Sequence, residues 1–317
     1  MNTYGVEFEV LLPKRILEGN GGEVYVGSYL RGASVPTSWA LPGWKFKSDC
    51  TVNASNRTRY ESAELVSPIL RGLDGYRQII KACAKMNELG VRVNATCGFH
   101  VHVGWTSNDL RELRRLTHWT AQFQEAFYAA SGTKRRKFRH PNGEHYCRPI
   151  KESHKDVEWN KPDVHAFLYD SKNRHLRGHN SRYHFLNLHN ILEPSSKRTV
   201  EFRCFSGTTE ALKAISWVRM CLAVVHRTAE TTRLPKWDCG KAKGPWVRKD
   251  AGEGATEMGR FFCRFGWVKW GTAAQPWKKA YGIHDGEAEA QDLPTLEATR
   301  DELRRLAKKF DDDTRRY

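Results

Sequence analysis

The stretch Cys97-Gly98-Phe99-His100-Val101-His102-Val103-Gly104 alternates strictly along the chain. A period of two marks a half-buried β-strand, with Cys97, Phe99, Val101 and Val103 on one face and Gly98, His100, His102 and Gly104 on the other. The imidazoles then stand about 7 Å apart, twice the ~3.4 Å rise per residue. Glycines on the same face leave room for a ligand to approach the backbone. A strand with two solvated histidines has the same pattern, so this stretch alone does not define a site.

Other strands change the odds. Tyr4-Gly5-Val6-Glu7-Phe8-Glu9-Val10 sends Tyr4, Val6, Phe8 and Val10 to a core and Glu7 and Glu9 to the opposite side. Thr199-Val200-Glu201-Phe202-Arg203-Cys204-Phe205 puts Val200, Phe202 and Cys204 against Glu201 and Arg203, and Glu64-Leu65-Val66-Ser67 enters with a carboxylate and stops at Pro68. Any one Glu-x-Glu strand fits a solvated outer face. Four such strands together describe one concave sheet lined by Glu7, Glu9, Glu64, His100, His102, Glu201 and Arg203. Carboxylates crowded in this way repel unless cations neutralise them. Oxygen ligands with an imidazole suit Mg²⁺ or Mn²⁺ rather than a thiolate zinc site.

In their order, Gly5-Val6-Glu7-Phe8-Glu9, Glu64-Leu65-Val66-Ser67-Pro68, Cys97-Gly98-Phe99-His100-Val101-His102 and Thr199-Val200-Glu201-Phe202-Arg203 resemble the motifs of the amidoligases, over roughly Tyr4 to Val225. These belong to the carboxylate-amine ligase superfamily. The resemblance implies a fold like that of glutamine synthetase and γ-glutamylcysteine ligase, and ATP-dependent amide formation through an acyl phosphate. It implies Glu7, Glu9, Glu64, His100 and Glu201 as ligands for two or three Mg²⁺ or Mn²⁺ ions, with His102 and Arg203 on the phosphates of ATP. Asp49, in Ser48-Asp49-Cys50-Thr51, stands where the family usually reads Asp-Gly-Ser beside the substrate amine. Cys50-Thr51 departs from that pattern, and a turn aspartate fits the local sequence equally.

The remaining chain reads as α+β, a mainly antiparallel curved sheet with helices on one face. Helical spacing runs from Leu73 to Gly90, from Asp109 to near Gly132 as one helix, and from Thr209 to Thr228. Glu23 to Gly27 reads as a short strand or helix start, and Ser181 to Leu188 as a strand pairing with the Glu201 strand across Pro194-Ser195-Ser196. Residues 1–232 would form the catalytic domain, with a basic insertion or lid at 131–182 whose Arg135, Arg136 and Arg139 could meet ATP phosphates. Each of those arginines fits a solvated loop as well. Arg198, entering the last strand, is a secondary phosphate candidate. Residues 233–317, rich in Trp and Lys, read as a mostly helical region, with Thr299, Leu303, Leu306 and Phe310 marking a terminal amphipathic helix.

Composition bounds the function classes. No apolar run reaches the ~18 residues of a membrane span and mean hydropathy is −0.67, so a soluble, cytoplasmic enzyme is expected. The eight cysteines lack any Cys-x-x-Cys spacing and read as reduced thiols. The net charge of +16 calls for an acidic partner, for which a nucleotide suffices. A metal-dependent phosphohydrolase could use the same carboxylates. A non-catalytic nucleic-acid binder would explain the charge and the tryptophans but not polar pairs aligned on several strands. The acid and amine, whether small molecule or peptide, are not named by the sequence.

Overall fold

A computed structural model describes residues 3–54, 56–134, 147–150, 180–192, 198–232, 253–268 and 279–314. The chain is α+β. The described residues form seven strands, β1 (Tyr4–Pro13), β2 (Ala33–Ser34), β3 (Lys45–Ser48), β4 (Tyr60–Val66), β5 (Gly98–Gly104), β6 (Leu186–Asn187) and β7 (Thr199–Ser206). They form one antiparallel sheet in the order β2-β3-β4-β1-β5-β7-β6. The described helices are α1 (Gly72–Glu88), α2 (Leu110–Gln122), α3 (Gln124–Ala130), α4 (His189–Leu192), α5 (Ala211–Glu230), α6 (Glu253–Arg264) and α7 (Leu296–Asp312).

The period-two pattern holds in the strands that matter most. Tyr4, Val6, Phe8, Val10 and Leu12 of β1 are buried with Phe99, Val101 and Val103 of β5, and helices cover that apolar face. Trp217 of α5 lies 5.4 Å from Phe99 and stacks on Phe205 at 4.9 Å, while Phe127 of α3 stacks on Phe202 at 5.4 Å. Burial of such rings is worth about 1.5–3 kcal/mol each, so the helices fix which face of the sheet stays open to chemistry.

In β7 the alternation slips. Phe99 pairs with Phe205 but Val101 with Phe202, so two residues, Arg203 and Cys204, stand opposite His100. This bulge turns Phe205 to the same aromatic layer as Phe202 and leaves Arg203 beside the polar face. A strict period of two would have sent Phe205 to the polar side.

Other expectations meet the structure with mixed outcomes. α1 ends at a left-handed Gly90 (φ +73°), as its sequence position indicates. The helix after Asp109, whose carboxylate caps the Arg111 N–H at 2.8 Å, is two helices broken at Phe123. The break seats Phe123 against Phe265 at 5.2 Å and Trp119 at 6.1 Å, a tertiary gain that no glycine or proline announces. Residues 23–27 form only isolated bridges, Val24 to Leu17 and Gly27 to Lys47, and no strand. Of residues 181–188 only Leu186 and Asn187 form strand; a 3₁₀ turn precedes them, and the expected pairing with Glu201 holds.

Beyond residue 232, α6 and α7 join the same core. Phe261 lies 6.0 Å from Phe127, and Trp267, Leu303, Leu306 and Phe310 are buried with them. Buried Arg219 of α5 is ion-paired to Glu287 and donates to Thr299 Oγ1 and to the carbonyls of Pro294 and Thr295. Trp237, Trp246, Trp270 and Trp277 lie outside the described residues.

Candidate metal centre

The open face of the sheet gathers the polar residues of six strands. β1 runs between β4 and β5, so Glu7 is registered with both Val66 and His100, and Glu9 with Glu64. Glu64 is in turn opposite Lys47 of β3, and His102 is opposite Glu201 of β7, which faces Asn187 of β6. Antiparallel pairing of period-two strands places all these side chains on one surface.

His100 is the centre of the group. Its Nδ1 lies 3.4 Å from Glu7 Oε2 and 3.5 Å from Glu201 Oε1, and its Nε2 lies 3.4 Å from Glu9 Oε1. These separations exceed the ~2.7–3.2 Å of ordinary hydrogen bonds. Two carboxylate oxygens also face the same ring nitrogen, which carries at most one proton. Donor atoms of Glu7, His100 and Glu201 all lie within 4.8 Å of one another. Three such donors can each reach one cation at about 2.0–2.5 Å, so the residues present fit a hard divalent ion.

Each ligand has a partner that orients it. Glu201 Oε2 accepts from Asn187 Nδ2 at 2.6 Å, leaving Oε1 for Arg203 Nη1 at 3.1 Å and for the centre. Glu7 Oε1 lies 3.2 Å from His102 Nε2, and His102 Nδ1 is 3.5 Å from Thr199 Oγ1. Glu9 Oε2 accepts the Gly98 backbone N–H, so Glu9 stands behind the His100 ring while its other oxygen faces Nε2. Carboxylates behind ligating imidazoles are the usual outer shell of metal sites.

The electrostatics follow from this crowding. Burial works to raise both Glu7 and Glu201, yet His102 and His100 hold Glu7 well below the usual carboxylate range, and Arg203 with the imidazoles lowers Glu201. Burial alone would lower His102, but Glu7 and Glu201 push it up to about 9. Glu64 is pushed up to about 7 by burial and by the charge of Glu7, against the pull of Lys47. A face that carries so much compensated charge is where perturbed protonation is expected at a functional site.

A family model described as "Putative amidoligase enzyme" matches residues 2–225, more than two-thirds of the chain and every strand of the sheet. The chain belongs to the amidoligase family. No curated protein matches it.

In this amidoligase the sequence-derived candidates do not all gather at the centre. Glu7, His100 and Glu201 form the centre, with Glu9, His102 and Arg203 in contact with it. Glu64 lies one strand further out, its Oε1 3.4 Å from Lys47 Nζ. Asp49 is buried just after β3, accepting the Thr51 N–H at 2.8 Å and its hydroxyl at 2.7 Å, in a turn. Arg198 donates to the carbonyls of Ser107 (2.9 Å) and Trp105 (3.4 Å) at the end of β5, so its guanidinium braces that loop. Arg135, Arg136 and Arg139 lie outside the described residues. Sequence reasoning missed the site roles of Asn187 and Lys47. Their signal was register, since each sits opposite a site glutamate across one strand pair.

Proposed function

We propose that this amidoligase is an ATP-dependent carboxylate-amine ligase with a glutamine synthetase-like catalytic domain, working with Mg²⁺ or Mn²⁺ in the cytoplasm. The supporting observation is the convergence of Glu7, His100 and Glu201 beside Arg203 on one face of the sheet. In this reading a substrate carboxylate oxygen bonds to the γ-phosphorus of ATP as the bond to ADP breaks. The amine nitrogen then bonds to the acyl carbon, and phosphate leaves with the pair that held it.

Phosphoryl transfer of this kind asks the protein for positioning and charge more than for covalent chemistry. Glu7, His100 and Glu201 would hold an ion that neutralises phosphate oxygens and polarises the phosphorus. Arg203, whose planar fork suits phosphate, and His102 would meet oxygens of the transferring group. Arg198, Arg135, Arg136 and Arg139 are further phosphate candidates. Asp49, at the end of β3 and close enough to Glu64 to raise it, is the candidate for receiving the amine.

The experiment is product analysis by mass spectrometry after incubation with ATP and pooled carboxylates and amines, including short peptides. A ligase releases ADP stoichiometrically with an amide product, and only when both co-substrates are present. Phosphate release without either one would identify a phosphohydrolase, and binding of nucleic acid without turnover would return the non-catalytic reading.

A further inference from the structure

Glu64 stands apart from the other carboxylates of the face. Its Oε1 lies 3.4 Å from the ammonium of Lys47, directly across the β3–β4 pair. The two side chains are only 9% and 18% exposed, which separates this pair from solvated surface bridges of negligible worth. Lys47 is also held along its stem. Residues 27–32 fold back on β3: Gly27 bridges to Lys47, the Ser48 N–H donates to the Gly27 carbonyl at 2.9 Å, and the Gly32 N–H to the Ser28 carbonyl at 2.8 Å. Gly32 adopts φ +65°, and a methyl group there would lie 2.8 Å from Lys47 Cγ and 3.3 Å from Lys45 Cβ. Glycine supplies both the left-handed turn and the clearance that lets this loop press on the lysine.

Lys47 is the cation that faces Glu64 across the β3–β4 pair, while Arg203 faces Glu201. Without Lys47 the Glu64 carboxylate would be left facing other carboxylates of the sheet, Glu9 across the β1–β4 pair among them. The donors that close on one another are those of Glu7, His100 and Glu201, and Glu64 is not among them.

Resting on the ion site of the proposed ligase, we infer that Lys47 is a positioning residue whose ammonium fills the Glu64 arm, so that without nucleotide the face takes one divalent ion at Glu7, His100 and Glu201 and not two. The resemblance to the amidoligases alone implies two or three ions with Glu64 as a ligand. Lys47 makes the Glu64 arm a fixed internal cation instead, leaving any further ion to arrive with the triphosphate.

The test titrates Mn²⁺ alone into the full-length protein without nucleotide and counts tightly bound ions by electron paramagnetic resonance. Wild type and Lys47→Arg should hold one ion. Lys47→Met, which keeps the stem and removes the charge, should gain a second ion at least tenfold tighter than any second ion on wild type. The double variant Lys47→Met/Glu64→Gln removes the pair without changing net charge, and should return to one ion with affinity within about threefold of wild type. It also serves if Lys47→Met alone does not fold. Two tight ions on wild type, equal counts for wild type and Lys47→Met, or a tenfold loss in the double variant would overturn the role of Lys47 while leaving the ion site in place. Absence of any bound ion from wild type would instead remove the ion site, and the inference with it.

Discussion

Replacing Glu9 with glutamine isolates one physical idea, that this carboxylate sets the tautomer of His100. Glu9 spans the Gly98 backbone N–H on one oxygen and His100 Nε2, at 3.4 Å, on the other. With an ion between Glu7 and Glu201, an acceptor behind the ring keeps the proton on Nε2 and leaves the Nδ1 lone pair for the ion. In Glu9→Gln the amide oxygen must stay on Gly98, because an NH₂ there would meet another donor. Its NH₂ then faces Nε2 and asks it to accept, which moves the proton to Nδ1 and blocks the ligand atom. Loss of such a partner weakens metal binding by about 10- to 100-fold, or about 1.4–2.7 kcal/mol. Mn²⁺ calorimetry should show that loss with an unchanged circular dichroism spectrum. Nitrogen-15 spectra of the Mg²⁺-loaded protein should show the His100 proton on Nε2 in wild type and displaced from it in Glu9→Gln. An affinity within twofold of wild type would refute the reasoning. A weakened affinity with the tautomer unmoved would show instead that Glu9 binds the ion directly.

Three further outcomes follow from other parts of the molecule. Arg203→Lys keeps the charge beside Glu201 but loses the fork, and steady-state kinetics should show kcat lowered about tenfold to a thousandfold with the KM for ATP little changed; an intact kcat would take Arg203 out of the chemistry. His118, His226 and His284 are each pushed down to about 4, first by burial. Their unfolded forms bind protons near 6.5, so the stability they support is present at neutral pH and is lost as pH falls from about 6.5 to 4. The limit is about 3 kcal/mol per group, and denaturant midpoints across that range should fall; a flat profile would contradict it. Glu287→Ala strands the buried Arg219 guanidinium and should cost about 3–5 kcal/mol in urea unfolding, whereas a loss below 1 kcal/mol would mean the segment around Glu287 adds little to the fold.

Alternation in β1, β4 and β5, and in β7 as far as Arg203, was enough for the sequence to determine which side chains share a face, since successive Cβ atoms of a strand must diverge. That is why Glu7, Glu9, Glu64, His100, His102, Glu201 and Arg203 group together on alternation alone. Helix spacing likewise located α1, α5 and α7, whose inward stripes are long and regular. What the sequence could not set is register, because sliding one strand past another by two residues preserves every alternation while changing every neighbour. Only the folded sheet puts Glu7 across from His100, Glu9 behind it, and Lys47 across from Glu64. The bulge at Arg203 and Cys204 and the break at Phe123 are of the same kind. Both are set by aromatic rings from distant elements that must fit a single core, and neither residue carries a local signal of its own.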